Sequence, residues 1–115
     1  MLFKEIVGQE LVKKRLIRSV KDNRVSHAQL FLGPEGCGKL ALAIAYSQYI
    51  CCENKKEDDS CGVCPSCVKY EKLVHPDLHF LYPYTANKDK NVSSAYIADW
   101  RELILEKNGY VSLNE

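Results

Sequence analysis

Four cysteines constrain this chain more than any other feature. Cys52, Cys61, Cys64 and Cys67 follow the pattern C-x8-C-x2-C-x2-C. Two successive x2 spacings bring three thiols to one side of a tight turn, and Cys52, at the end of a preceding helix, closes a tetrahedron. Four sulfur ligands leave a zinc ion no open position, so such a site is structural rather than catalytic. Gly62, Pro65 and Ser66 are the residue types that turns between ligands need. The spacing therefore predicts a zinc module at about residues 51–68. An iron–sulfur cluster also uses four cysteines, and redox disulfides are a third reading. Cys51 would give an x9 interval, and sequence physics alone does not separate it from Cys52.

Composition moves the balance from disulfides toward metal. Six cysteines in 115 residues would suggest a disulfide framework in a secreted chain. The first residues, Met1 to Glu5, carry charges and no apolar core of a signal sequence. No apolar run approaches the roughly 20 residues that span a bilayer. The expectation is a soluble cytoplasmic protein with no membrane partner, in which clustered thiols hold metal. A net charge of +1 with 27% charged residues gives no broad nucleic-acid footprint. DNA would be met indirectly, through partners or a local patch.

A second motif lies upstream. Gly33-Pro34-Glu35-Gly36-Cys37-Gly38-Lys39-Leu40 matches the phosphate loop G-x-x-x-x-G-K-[ST] at every fixed position but the last. Glycines let backbone N–H groups turn inward around phosphate oxygens, and the following helix adds its positive end. Lysine reaches the terminal phosphates, while a Ser or Thr hydroxyl would ligate Mg²⁺. Leu40 offers no oxygen. Losing a group at a metal commonly costs on the order of 10–100-fold, so the candidate nucleotide site (Gly33, Gly36, Cys37, Gly38, Lys39, Leu40) reads as degenerate, with ATP and Mg²⁺ doubtful and no catalytic residue. The bland alternative is a glycine turn with no nucleotide role. Cys37 is a small residue at a permissive position.

The coarse elements place both motifs. Val12, Leu16 and Val20, with Ile17 beside them, form the apolar face of a helix from Leu11 to about Lys21, and Lys13, Lys14 and Arg18 take the other side. His27–Leu32 reads as a short buried strand. Lys39–Ile50 is apolar almost all round, as a helix packed on most faces would be. Glu53–Ser60 reads as a solvated loop with no core residue. Val68–Leu73 forms a further turn or two of helix, stopped before Pro76. Leu78–Tyr82 alternates like a strand cut off by Pro83, and Thr85–Ser94 is polar. A last helix runs from about Ser94 to Lys107 with Ile97, Trp100, Leu103, Ile104 and Leu105 inward, ended by Gly109. His75 and His79 could join the metal, although four thiols suffice. Lys13, Lys14, Arg15 and Arg18 could touch a phosphate backbone, although a solvated helix face is the simpler account. Trp100, Ile97 and Ile104 are most simply core.

Ile6-Val7-Gly8-Gln9, the segment His27–Leu32 leading into the loop, the four cysteines, and His75-Pro76-Asp77 stand in this order. In that register, over about residues 3–82, the chain resembles the bacterial clamp-loader subunits of DNA polymerase III. The delta-prime type is the nearer and the gamma/tau type the more distant. The resemblance implies an α/β fold: part of a P-loop NTPase (AAA+, RecA-like) domain with an inserted four-cysteine zinc module. It implies a DNA replication role as a stator in a loader with gamma/tau and delta subunits, which places the sliding clamp on primed DNA. Gamma/tau loops end in Lys-Thr and hydrolyse ATP; Leu40 departs from them, implying a subunit that is not an ATPase by itself. Nothing between Asn87 and Glu115 reads as a Walker B strand, a sensor or an arginine finger. Residues 1–115 are thus expected to be an N-terminal fragment with two lone strands, either paired through another chain or left in an incompletely closed sheet. An active gamma/tau-type ATPase and a small-molecule P-loop kinase with a zinc lid are the rival functions.

Overall fold

The Ala- and Leu-rich stretch after the glycine loop forms a central helix against which the other elements pack. The computed structural model describes residues 1–34, 36–81 and 97–107. A 3-10 turn at Phe3–Glu5 precedes α1 (Glu10–Lys21), α2 (Lys39–Cys51), α3 (Pro65–Glu71) and α4 (Ile97–Lys107). The turn, α1 and α3 all contact α2. Because α2 is apolar around most of its circumference, it buries Ala41, Leu42, Ile44, Ala45, Tyr46, Gln48 and Tyr49.

Two apolar clusters result. On one face Phe3, Ile6 and Ile17 pack with Ala41, Leu42, Ala45, Tyr46 and Tyr49, flanked by Leu16, Val20 and Phe31. On the other, Ile44 meets Tyr70, Leu73 and Ile104, with Leu40, Leu78, Phe80 and Trp100 alongside. The Tyr46 hydroxyl lies 2.8 Å from Ser19 Oγ and accepts from Gln29 Nε2 at 3.1 Å, tying α1 and the segment before the loop to α2. Arg101 Nε donates to Leu73 O at 2.9 Å, which fastens α4 to the end of the turn after α3.

Several expectations change. Lys13 is not on the outer side of α1: it is buried, and its Nζ donates to Ile6 O at 2.6 Å, whereas Val12 is 37% exposed. The N-terminal segment presents an otherwise unused carbonyl there, and a long aliphatic stem can cross apolar surface to reach it. His27–Leu32 is not a buried strand; only Phe31 packs inward, and Leu30 and Leu32 are 79% and 83% exposed. Leu78 to Leu81 does alternate, with Leu78 and Phe80 on the second cluster and Leu81 93% exposed, but it pairs with nothing among the described residues. The described residues form a small helical unit with no strand, so neither the expected α/β class nor the incompletely closed sheet is seen among them. A strand is defined by its neighbour's backbone groups, and an alternating segment without that neighbour has no ladder to join.

Asp59 and Ser60 correct the reading of Glu53–Ser60 as wholly solvated, being 8% and 3% exposed. Leu105, expected inward on α4, is 47% exposed. The helix starting near Ser94, its stop at Gly109, the polar stretch Thr85–Ser94, the strand end at Tyr82–Pro83 and the Walker B question over Asn87–Glu115 lie, wholly or for the most part, outside the described residues. Among the described residues no helix is long and apolar enough to cross a membrane.

Candidate functional site

The two ends of α2 carry the two motifs. At its C-terminal end Cys52 turns out of the helix in an extended conformation (φ −61°, ψ 130°). Cys61 and Cys64 follow on a loop in which Gly62 takes φ +78°. Pro65 then starts α3, its missing N–H costing nothing in a first turn, and Cys64 is the N-cap whose sulfur accepts from the Cys67 N–H.

The four sulfurs lie within 4.8 Å of one another. Cys52 Sγ stands 3.6 Å from Cys61 Sγ and 3.9 Å from Cys64 Sγ, and Cys61 Sγ is 3.9 Å from Cys67 Sγ. A tetrahedron with metal–sulfur bonds of about 2.3 Å has sulfur–sulfur edges of about 3.8 Å. All six cysteines are free thiols, and these separations are far beyond a disulfide bond. The cluster therefore has the size of a four-thiolate metal site.

Backbone donors support negative charge on it. The N–H groups of Cys61, Cys64 and Cys67 donate to Cys52, Cys61 and Cys64 Sγ at 3.4, 3.3 and 3.4 Å. The thiols consequently split. Burial pushes Cys52 up and Cys67 up to about 12. The N–H groups of Val63 and Cys64 bring Cys61 down. For Cys64 burial acts upward, but the N–H groups of Glu53 and Cys67 and the neighbouring thiols outweigh it and bring the thiol to about 6. Cys61 and Cys64 are thus shifted toward the thiolate and Cys52 and Cys67 away from it, and a central cation would favour the anion at all four.

The structure also separates Cys51 from Cys52. Cys51 Sγ lies 3.5 Å from Tyr70 Oη, in a second group with His75 and Asp77. Both ring nitrogens of His75 are engaged: Nδ1 accepts from the Asp77 N–H at 3.1 Å, and Nε2 lies 3.4 Å from Ser66 Oγ. Its ring packs against Tyr70, tilted by 34° at 4.8 Å, so this histidine braces α3 from outside the thiol cluster. Burial, first, and the neighbouring Cys51 thiol push the Tyr70 hydroxyl well above its ordinary value. His79 is exposed and apart from the cluster.

At the N-terminal end of α2, Gly36 and Gly38 adopt φ +80° and +86°, conformations that side chains other than glycine disfavour. Gly38 is the helix N-cap. Lys39 Nζ donates back to Gly33 O at 2.8 Å, and Gln9 Nε2 donates to Cys37 O at 3.3 Å. A cleft of about 210 Å³ beside the loop is lined by Gln9, Gln29, Leu32, Cys37 and Lys39 among others. Leu40 points elsewhere: it is half-buried against the cluster of Ile44, Tyr70, Leu73 and Ile104. Glu35 lies outside the described residues.

Asp59 and Gln48 matter to the cysteine site and were not singled out by sequence reasoning. Gln48 is 2% exposed, accepts from the Met1 amine at 2.5 Å, and its side chain acts to lower the Cys67 pKa against the effect of burial. Nothing in the periodicity of α2 distinguishes it from its apolar neighbours; a lone glutamine inside an apolar helix was the only signal.

A buried helix with a glycine loop at one end and four convergent thiols at the other makes the described residues a small helical module whose cysteine cluster is compatible with a metal site. The family described as DNA polymerase III, delta subunit, matches residues 8–111, and the chain belongs to that family. It is 42% identical over 66 residues to DNA polymerase III subunit gamma/tau of Mycobacterium tuberculosis, covering 57% of this chain and 11% of that protein. It is 40% identical over 76 residues to DNA polymerase III subunit delta' of Bacillus subtilis, covering 65% of this chain and 22% of that protein. The subunit tau of the same organism is 37% identical over 65 residues, covering 56% and 12%. The chain thus spans a small part of the length of these relatives. No solved structure matches it. The resemblance to DNA polymerase III subunits that the motifs carry is borne out.

Proposed function

We propose that this chain is the N-terminal part of a delta-prime-type stator in a DNA polymerase III clamp loader, built on an AAA+ P-loop framework. It would act in the cytoplasm beside gamma/tau and delta subunits to place the sliding clamp on primed DNA. Zinc is the metal we assign to Cys52, Cys61, Cys64 and Cys67, because four convergent sulfurs at edge lengths near 3.8 Å suit a closed tetrahedral ion. When bound, zinc supplies neutralising charge and a rigid crosslink, with no vacant position for a reactant. The protein's residues do the rest: backbone N–H groups orient the sulfurs, and Gln48 and His75 brace the helices that carry them.

The observation that carries the stator reading is Leu40. Its side chain packs into the second apolar cluster, so the position that needs a magnesium-binding hydroxyl serves the core instead. Lys39, turned onto Gly33 O, keeps the loop closed upon itself. The gamma/tau reading draws on the 42% identity to a gamma/tau relative, slightly above that to the delta' relative. A titration with ATP and Mg²⁺ separates the two. The stator reading expects binding weak or undetectable for the natural chain and at least tenfold stronger for Leu40→Thr. Steady hydrolysis by the unaltered protein alone would support the gamma/tau type. Co-elution with clamp and motor subunits tests the loader role itself against the small-molecule kinase reading.

A further inference from the structure

Residues 2–4 lie against the cysteine module, and one carboxylate joins the two. Asp59 Oδ1 accepts from the backbone N–H of Phe3 at 3.0 Å and of Ser60 at 2.8 Å; Oδ2 accepts from the N–H of Lys4 at 3.2 Å. The residue is 8% exposed, and among the described residues neither ion pair includes it. A buried carboxylate served by neutral amides needs them in place, because a charge left without donors in a buried position is costly. Leu2 methyl carbons come within 3.7 Å of where a Cβ on Gly62 would stand. Phe3 packs on Tyr49 at 5.9 Å; the Tyr49 hydroxyl donates to Lys56 O at 3.1 Å, and the Lys56 N–H donates to Asp59 O at 2.9 Å.

The loop that delivers Cys61 is thus held from two sides. On one side the thiols converge; on the other, Asp59 grips two amides of the N-terminal segment, and Ser60, which it also grips, is the residue before Cys61. The stretch Glu53–Ser60 has no apolar side chain with which to hold itself. Ordering it from either side prepares the other.

Resting on the metal-binding reading above, we infer that metal binding by the four thiols and seating of the N-terminal segment are one linked equilibrium, with Asp59 as the latch between them. Linkage is reciprocal: the factor by which bound metal favours the seated segment is the factor by which the seated segment raises metal affinity. Asp59 touches none of the four sulfurs in this arrangement; it is a positioning residue that acts through Ser60 and the loop. The segment it holds also carries Ile6, whose carbonyl anchors Lys13 of α1.

Hydrogen exchange at the Phe3 and Lys4 amides, followed in zinc-loaded and chelator-stripped protein, reads one arm. Competition with a colorimetric chelator reads zinc affinity in the natural chain, in Asp59→Ala, and in Asp59→Asn, which keeps one carbonyl oxygen for Phe3 and Ser60. Stripping is expected to speed exchange at both amides at least tenfold. Asp59→Ala is expected to weaken zinc about tenfold, in the range of losses behind a ligand shell, and Asp59→Asn to recover part of it. A merely structural role would lower the melting temperature and leave zinc affinity where it was. Should Asp59→Ala not fold, Phe3→Leu loosens the segment from the far side of the latch and is expected to weaken zinc severalfold. Unchanged amide exchange on stripping, or unchanged zinc affinity in the variant that folds, overturns the linkage alone. Failure of the natural chain to bind zinc overturns the metal-binding reading and the linkage with it.

Discussion

The two ends of α2 make opposite use of similar materials. Both are irregular, glycine-containing and near the surface. At the C-terminal end four sulfurs meet within 4.8 Å and backbone N–H groups back them. At the N-terminal end the shape of a ligand loop persists, with Gly36 and Gly38 in left-handed conformations, yet the side chains attend to the protein. Lys39 bonds a carbonyl of its own loop and Leu40 joins the core. Backbone shape and ligand-gripping chemistry are separable: the left-handed glycine turn stands although its lysine and leucine serve the protein.

That contrast can be broken most forcefully at the sulfurs. Cys64→Ser removes both a proposed zinc ligand and the N-cap sulfur of α3. Structural zinc in small peptides is worth about 10–16 kcal/mol of apparent binding energy, so loss of stoichiometric zinc by metal analysis and a fall in helical circular dichroism are expected. A variant that keeps one zinc per chain and its full ellipticity would show that the knuckle does not depend on its ligands.

At the opposite end the effect is smaller and of the other kind. Leu40→Thr should lower stability by about 1–2 kcal/mol in chemical denaturation, less than the 2–5 kcal/mol typical of emptying a fully buried leucine site, because Leu40 is only half-buried. No loss of stability would mean that Leu40 is not a core residue and that packing does not account for the loop's missing hydroxyl. The smallest effect belongs to Ser60→Ala. Ser60 Oγ is buried without a hydrogen-bond partner among the described residues. Deleting an unsatisfied buried hydroxyl should leave stability unchanged or raise it by up to about 1 kcal/mol. A clear destabilisation would reveal that the hydroxyl serves the adjacent Cys61 sulfur.

The sequence carried the cysteine module and the central helix, and it failed where a partner was needed. The x2 spacings and the apolar ring of α2 are local patterns, each dictated by residues a few positions apart. Cys52 and Cys51 could not be told apart because both sit at a helix end; only the direction taken by the chain after α2 sends one to the thiols and the other to Tyr70. His27–Leu32 read as buried because its composition is apolar, but burial and a ladder both require a neighbouring element, and only Phe31 finds one. Asp59 was hidden inside a run of charged residues whose composition says solvent. Its role depends on amides 55 and 56 positions away, a distance that no periodicity spans.

Lys13 holds a practical lesson. Its amine is enclosed and held 2.6 Å from Ile6 O, while Lys14 next to it lies open to water. Acylating reagents applied to the intact chain should therefore mark Lys14 quickly and Lys13 slowly, turning two adjacent and chemically identical groups into an internal gauge of whether the N-terminal segment is in place.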